Sequence, residues 1–122
     1  MITEYKSHEK YYKKMRMRKE MLGLGAYVSK KIIEEGWKVG YMSRDEAMHE
    51  GDSGWAFMAG NEDDDYVNDY RNIALCSIYE VCRLDPAVGK YIVNPVGTKM
   101  IRVSSSEFEI DNNDRKIYLE KR

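Results

Sequence analysis

Residues 37–44 read Trp37-Lys-Val-Gly-Tyr-Met-Ser-Arg44, placing Trp37, Val39 and Tyr41 on one side and Lys38, Gly40 and Met42 on the other. A period of two is the pattern of a half-buried strand. Polar residues 45–53 follow as a loop, and Trp55 to Met58 reads as the returning strand, so the pair predicts a long-looped antiparallel hairpin.

Upstream, residues 1–22 contain no Pro or Gly and are rich in Lys, Arg, Glu and Met, which predicts a helix ended by Gly23-Leu-Gly25. Tyr11, Met15 and Leu22 fall near one face, so this helix is expected to dock by a ragged stripe. Ala26 to Val28 reads as a short strand, and Ser29 as the N-cap of a brief helix over 30–35. Downstream, Leu75, Ile78, Tyr79 and Cys82 fit i, i+3, i+4, i+7 and predict one helix over 73–84, stopped by Asp85-Pro86. One more turn is expected within 87–93. Strands are expected over 98–103, 107–110 and 116–119, the last two joined by the turn Asp111-Asn-Asn-Asp114. The element order α, β, α, β, β, α, β, β, β predicts an α+β fold, helices packed against an antiparallel sheet in a single domain. Residues 1–24 form a basic helical segment ahead of the α+β body at 25–122.

The 122 residues supply one hydrophobic core, and 34% charged against 43% apolar residues is a globular composition. No run approaches the roughly 20 apolar residues that span a bilayer, so no membrane partner is expected. Cys76 and Cys82 are the only cysteines. On a common helix six residues apart, they would be separated by about 9 Å of rise, too far for a disulfide. Free thiols point to a reducing compartment, and hence to the cytoplasm.

A net charge of -1 hides a segregation. Residues 1–31 carry nine Lys or Arg against three Glu, whereas residues 32–73 carry three basic against eleven acidic side chains. Such asymmetry suits either a positively charged partner or internal pairing between the two regions. The basic segment, with Tyr5, Tyr11 and Tyr12 interleaved, superficially suits nucleic acid, but a sequence pI near 6.1 lacks the basic footprint of a dedicated binder. No nucleic-acid partner is expected.

Gly51-Asp-Ser-Gly54 matches the tetrapeptide around the nucleophile of trypsin-like proteases, yet the nearest base, His49, lies in the same loop, and no two-barrel framework surrounds it. A polar turn is the better reading, and no enzyme is expected. Asn61-Glu-Asp-Asp-Asp65 invites a cation, but the spacing of a calcium-binding EF-hand loop is absent. No cofactor or metal is assigned. Four consecutive carboxylates repel one another, a cost that a cationic partner offsets. The alternative is a small ligand- or metal-binding regulatory module built on the same loop. The pairs Gly36-Trp37 and Gly54-Trp55 read as core aromatics beside tight turns, unless one Trp is exposed as an interface anchor.

The run Tyr27-Val-Ser-Lys-Lys-Ile-Ile-Glu-Glu-Gly-Trp-Lys-Val-Gly-Tyr-Met-Ser-Arg-Asp-Glu46, followed by Asp52-Ser-Gly-Trp-Ala-Phe-Met-Ala-Gly-Asn-Glu-Asp-Asp-Asp-Tyr66, resembles a small bacterial domain once filed as a family of unknown function. That family is now grouped, as Imm33-like, among immunity proteins of polymorphic toxin systems. Asn72-Ile73, Leu84-Asp-Pro86 and Asn94-Pro-Val-Gly97 are similar as well, so the resemblance spans about residues 25–103. The basic stretch before Gly23 and the hairpin after Val103 lie outside the pattern, and Ser43, Ala56 and Ala59 replace bulkier or more polar residues of the family. The resemblance implies a non-catalytic inhibitor that binds the toxin of its own lineage. A nuclease toxin would offer the basic cleft that an acidic patch fits. The residues expected to meet it are Asp52, Glu62, Asp63, Asp64, Asp65 and Asp69, with Trp55 and Tyr66 as aromatic anchors.

Overall fold

The computed structural model describes residues 2–122, with side chains described from residue 9. Along the chain lie α1 (Ile2–Leu22), β1 (Gly25–Ser29), α2 (Lys30–Ile33), β2 (Tyr41–Arg44), β3 (Asp52–Met58), α3 (Asp64–Asn68), β4 (Ile73–Ser77), α4 (Ile78–Leu84), β5 (Lys99–Arg102) and β6 (Phe108–Ile110). Short 3-10 turns occupy Tyr70–Asn72 and Pro86–Lys90. The fold is α+β, as the sequence predicts.

One six-stranded sheet runs in the order β4-β1-β3-β2-β5-β6. The predicted hairpin is present: β2 pairs antiparallel with β3, Tyr41 opposite Met58 and Arg44 opposite Trp55. Every neighbouring pair is antiparallel except β1 and β3, so the sheet is mixed. The parallel pair arises because residues 30–51, carrying α2 and β2, form a crossover long enough to bring β3 back beside β1 in the same direction. Alternation along β3 is strict: Ser53, Trp55 and Phe57 point into the core, while Asp52, Gly54, Ala56 and Met58 line the other face.

The predicted helix over 73–84 is divided. Residues 73–77 form β4, paired antiparallel with β1, and the helix begins only at Ile78. Ser77 starts it through a capping box: its hydroxyl accepts the Glu80 N–H at 3.1 Å, and the Glu80 carboxylate accepts the Ser77 N–H at 3.2 Å. The two cysteines therefore sit on different elements, Cys76 on β4 and Cys82 on α4, and both are free thiols. Burial pushes both thiols above their usual range.

The C-terminal segment also departs from expectation. Strand β6 pairs with β5 rather than with residues 116–119, which form no named strand. Instead the tail runs back across the start of the hairpin. Lys38 N–H donates to Glu120 O at 2.8 Å, Tyr118 N–H to Arg102 O at 2.9 Å, and Arg122 N–H to Gly36 O at 2.8 Å. Gly40 admits this packing, because a Cβ there would lie 2.0 Å from the Ala59 carbonyl oxygen and 2.8 Å from Ile117.

Helices α2 and α4 and the Pro86–Lys90 turn cover the inner sheet face, burying Ile32, Ile78, Val81 and Val88 against Val28, Met42, Trp55 and Phe57. Helix α1 contributes Met21, with Leu22 against the edge of the core, whereas residues 9–20 are exposed. The expected stripe of Tyr11 and Met15 is thus uncovered among the described residues, and docking is confined to Arg18, beside Gly89, and the last turn.

One ion pair crosses the core. Arg102, on β5, and Asp85, which ends α4, are both buried and bond through Nη2 and Oδ2. The same carboxylate oxygen accepts the Val39 N–H at 2.9 Å, while Arg102 Nε donates to Val39 O at 2.7 Å and Nη1 to Ser105 O at 2.6 Å. The Phe108 ring lies 4.6 Å from the guanidinium. Each charge is thereby hydrogen-bonded as well as paired, the condition for burying it.

Candidate functional site

The structure separates the acidic segment into two groups. Asp52 opens β3, while Glu62 to Asp69 follow its far end at Met58. Six strand steps put about 20 Å between the two ends.

At the near end, Asp52 accepts the Met48 N–H through Oδ2 and the Gly54 N–H through Oδ1, both at 2.9 Å. These two bonds hold its carboxyl below the usual carboxylate range, against a small desolvation cost. Gly54 (φ 82°) is required at this point of β3, since a Cβ there would sit 1.9 Å from the Asp45 carbonyl oxygen. Ser53 is buried, and its hydroxyl accepts the Trp55 N–H at 3.0 Å, whereas the exposed His49 ring contacts its neighbour's carbonyl, Glu50 O. Asp52, Ser53 and Gly54 open β3 rather than forming the expected polar turn, and the Asp52 and Ser53 side chains are committed to backbone.

Trp55 is placed in the core rather than at the surface, which corrects its expected part as an anchor. It is 0% exposed, its ring stacks on Phe57 at 5.9 Å, and its indole N–H donates to Ile92 O at 2.9 Å. The alternation of β3 decides this, because residue 55 shares the inner face with residue 57.

At the far end, Glu62 clamps the turn after β3 by accepting the Ala59 and Gly60 N–H groups at 2.8 and 2.9 Å. Burial opposes its ionisation, but bonds from the Ser29 hydroxyl and those N–H groups outweigh it and hold the carboxyl below the usual range. Asp63 caps α3 by accepting the Tyr66 N–H at 2.8 Å. Asp69 accepts the Arg71 N–H at 3.0 Å and pairs with the Arg71 guanidinium at 2.8 Å. Tyr66 lies beneath the Lys31 ammonium, 5.1 Å from the ring centroid. Asp64 and Asp65 stand exposed in the first turn of α3, with no hydrogen bond or ion pair from their side chains among the described residues. The structure thus brings Glu62, Asp63, Asp64, Asp65, Tyr66 and Asp69 together and leaves Asp52 and Trp55 elsewhere. Among the described residues no three carboxylate, imidazole or thiol groups converge as a cation site would require.

Glu62 gives a pH prediction. A carboxyl depressed in the folded state adds stability above its unfolded value, about 4.3 for Glu, and loses it as pH falls through the lower folded value. Glu62→Gln is expected to cost about 1–2 kcal/mol at pH 7, allowing for solvent screening of a half-exposed group. Urea unfolding of both proteins should show the gap closing towards pH 3; a gap independent of pH would refute this role.

Residues 26–111 match the family model for the immunity protein Imm33 domain. The chain belongs to the Imm33 immunity protein family. The match takes in all six strands apart from Gly25, continues through β6 to Asp111, and leaves α1 and the tail outside. No curated protein and no solved structure matches the chain. No described helix of this Imm33 domain is long and apolar enough to cross a membrane. Residues 45–48, beside Asp52, were legible only as a polar loop, although Asp45, Glu46 and the exposed Met48 gather there around the start of β3.

Proposed function

We propose that this Imm33 domain binds a cognate bacterial toxin and neutralises it without catalysis, meeting a basic surface of the toxin with the acidic turn of α3. The observation that carries this reading is the pair Asp64 and Asp65, exposed and unneutralised, on a turn whose other carboxylates are fixed by backbone bonds. The clamp by Glu62 and the cap by Asp63 order the turn before contact, so fewer side chains lose freedom on binding. Fixed negative charge also accelerates encounter with a cationic cleft, as nucleic-acid-cutting toxins present.

The test reverses Asp64 and Asp65 to Lys and leaves Asp63, because loss of that cap would cost about 1 kcal/mol by itself. With a candidate cognate toxin, the double variant is expected to associate at least tenfold more slowly at low salt, the difference narrowing as salt rises, and to protect co-expressing cells less. Unchanged association and full protection would remove the acidic turn from the interface.

A further inference from the structure

The outer face of the sheet is covered at one end and bare at the other. Register places Leu75, Tyr27, Ala56 and Ser43 in one transverse row on adjacent strands β4, β1, β3 and β2. One step along, Ser29 and Ile101 are buried, and Ile117 and Leu119 of the tail lie against Gly60. The row itself has no such cover among the described residues: Leu75 is 69% exposed and Tyr27 44%. A largely antiparallel sheet tolerates one solvated face when that face is polar, and Leu75 and Tyr27 side by side on the β4 edge and the strand beside it are instead the make-up of a contact surface.

Beside the row lies a groove of about 300 Å³. Gly54 and Ala56 give it a floor with almost no side chains, the Tyr27 ring stands on one side, and the loop after β2 brings Asp45, Glu46 and Met48 to the other, with Asp52 at the end. Met48 is 81% exposed. Asp45 and Glu46 have no ion pair or side-chain hydrogen bond among the described residues, and Asp52 is tied only to N–H groups. Three carboxylates rim a predominantly apolar trough.

We propose that this bare row is the toxin's second contact, and that it receives a protein segment carrying an arginine among apolar residues. The apolar part would cover Leu75, Tyr27 and Met48. The guanidinium would lie on the small floor against the Tyr27 ring and pair with the carboxylates, because arginine combines an apolar stem with a planar cation that stacks on aromatic faces. Charge complementarity selects this occupant: an anionic or purely apolar segment would leave the three carboxylates repelled or desolvated without a partner. The proposal rests on the neutralisation reading and adds to it a second contact on the sheet face, apart from the α3 turn.

The experiment uses the full chain and two peptides, acetyl-Leu-Arg-Leu-amide and its citrulline counterpart. In backbone-amide NMR titrations the arginine peptide is expected to shift Tyr27, Met48, Gly54, Ala56 and Leu75, with at least fivefold weaker response to citrulline. Ala56→Arg, at a half-buried position on the floor, fills the trough with the chain's own cation and is expected to abolish that response with the melting temperature kept. Leu75→Glu, on the exposed edge strand, is the second variant and should weaken it. Equal response to citrulline, shifts confined to Asp64 and Asp65, or an equal response to free arginine amide would each overturn the proposal, the last by showing a small-cation site. Co-expression with a candidate cognate toxin keeps the two readings apart. If folded Ala56→Arg still protects while the Asp64 and Asp65 reversal does not, the bare face is wrong and neutralisation stands. If wild type gives no protection, the neutralisation reading and the toxin's use of this face fail together, although the peptides still report what the trough accepts.

Discussion

Arg102→Met is expected to lower stability by about 3–5 kcal/mol, the range for removing one member of a buried ion pair. The loss comes less from the missing attraction than from what is left behind. Asp85 would keep a buried carboxylate with only the Val39 N–H as partner, and the Val39 and Ser105 carbonyl groups would lose their donor. For a chain of this size the melting temperature should fall by roughly 10 °C or more. Asp85→Asn tests the same network from the other side; it also leaves a buried charge unpaired, but Arg102 keeps the Val39 and Ser105 carbonyl acceptors and the amide oxygen can still accept a guanidinium N–H, so it should cost less. If Arg102→Met melts within a degree or two of wild type, the pair is not holding α4, β5 and the Val39 segment together.

Trp55→Ala is expected to cost a similar 3–5 kcal/mol, through the cavity left among Phe57 and its neighbours and the orphaned Ile92 carbonyl. Trp55→Phe keeps most of the ring volume but drops the N–H, so a loss of about 1–2 kcal/mol is expected. The decisive comparison is with binding. A core residue changes thermal unfolding and leaves association with the toxin intact in the folded Phe variant, whereas an anchor would do the reverse. Calorimetric melting beside association kinetics of Trp55→Phe separates the two, and slowed association with an unchanged melting point would return Trp55 to the interface.

The hairpin of β2 and β3 was legible because a period of two survives in Trp37 to Arg44 and Trp55 to Met58. The boundary at Ser77 was not, since Leu75, Ile78, Tyr79 and Cys82 satisfy helical spacing while Ile73 to Ser77 is claimed by pairing with β1. Propensity is a weak prior against such a tertiary partner. The Ser77 and Glu80 capping box was the local signal that could have placed the break. The parallel pairing of β1 with β3 has no local signature, because it joins segments separated by a whole crossover. The exposed acidic turn was legible as charge, but not its division. Asp52 and Asp63 look close in sequence, and only the extended geometry of β3 carries them apart. The Gly54-Trp55 pair carried both a core and an anchor reading, and the alternation along β3 chooses the core.

Helix α1 docks by Arg18 and its last turn and extends through 21 residues, about 30 Å of rod. Lys10, Lys13, Lys14, Arg16, Arg18 and Lys19 stud that rod, while the carboxylates of the loops and α3 sit on the body. Separating charge in this way gives the molecule an electric dipole moment. In an external field of mixed sign it experiences a torque, so an incoming protein with both basic and acidic regions is rotated into alignment while still a screening length, about 10 Å at 0.1 M salt, from touching.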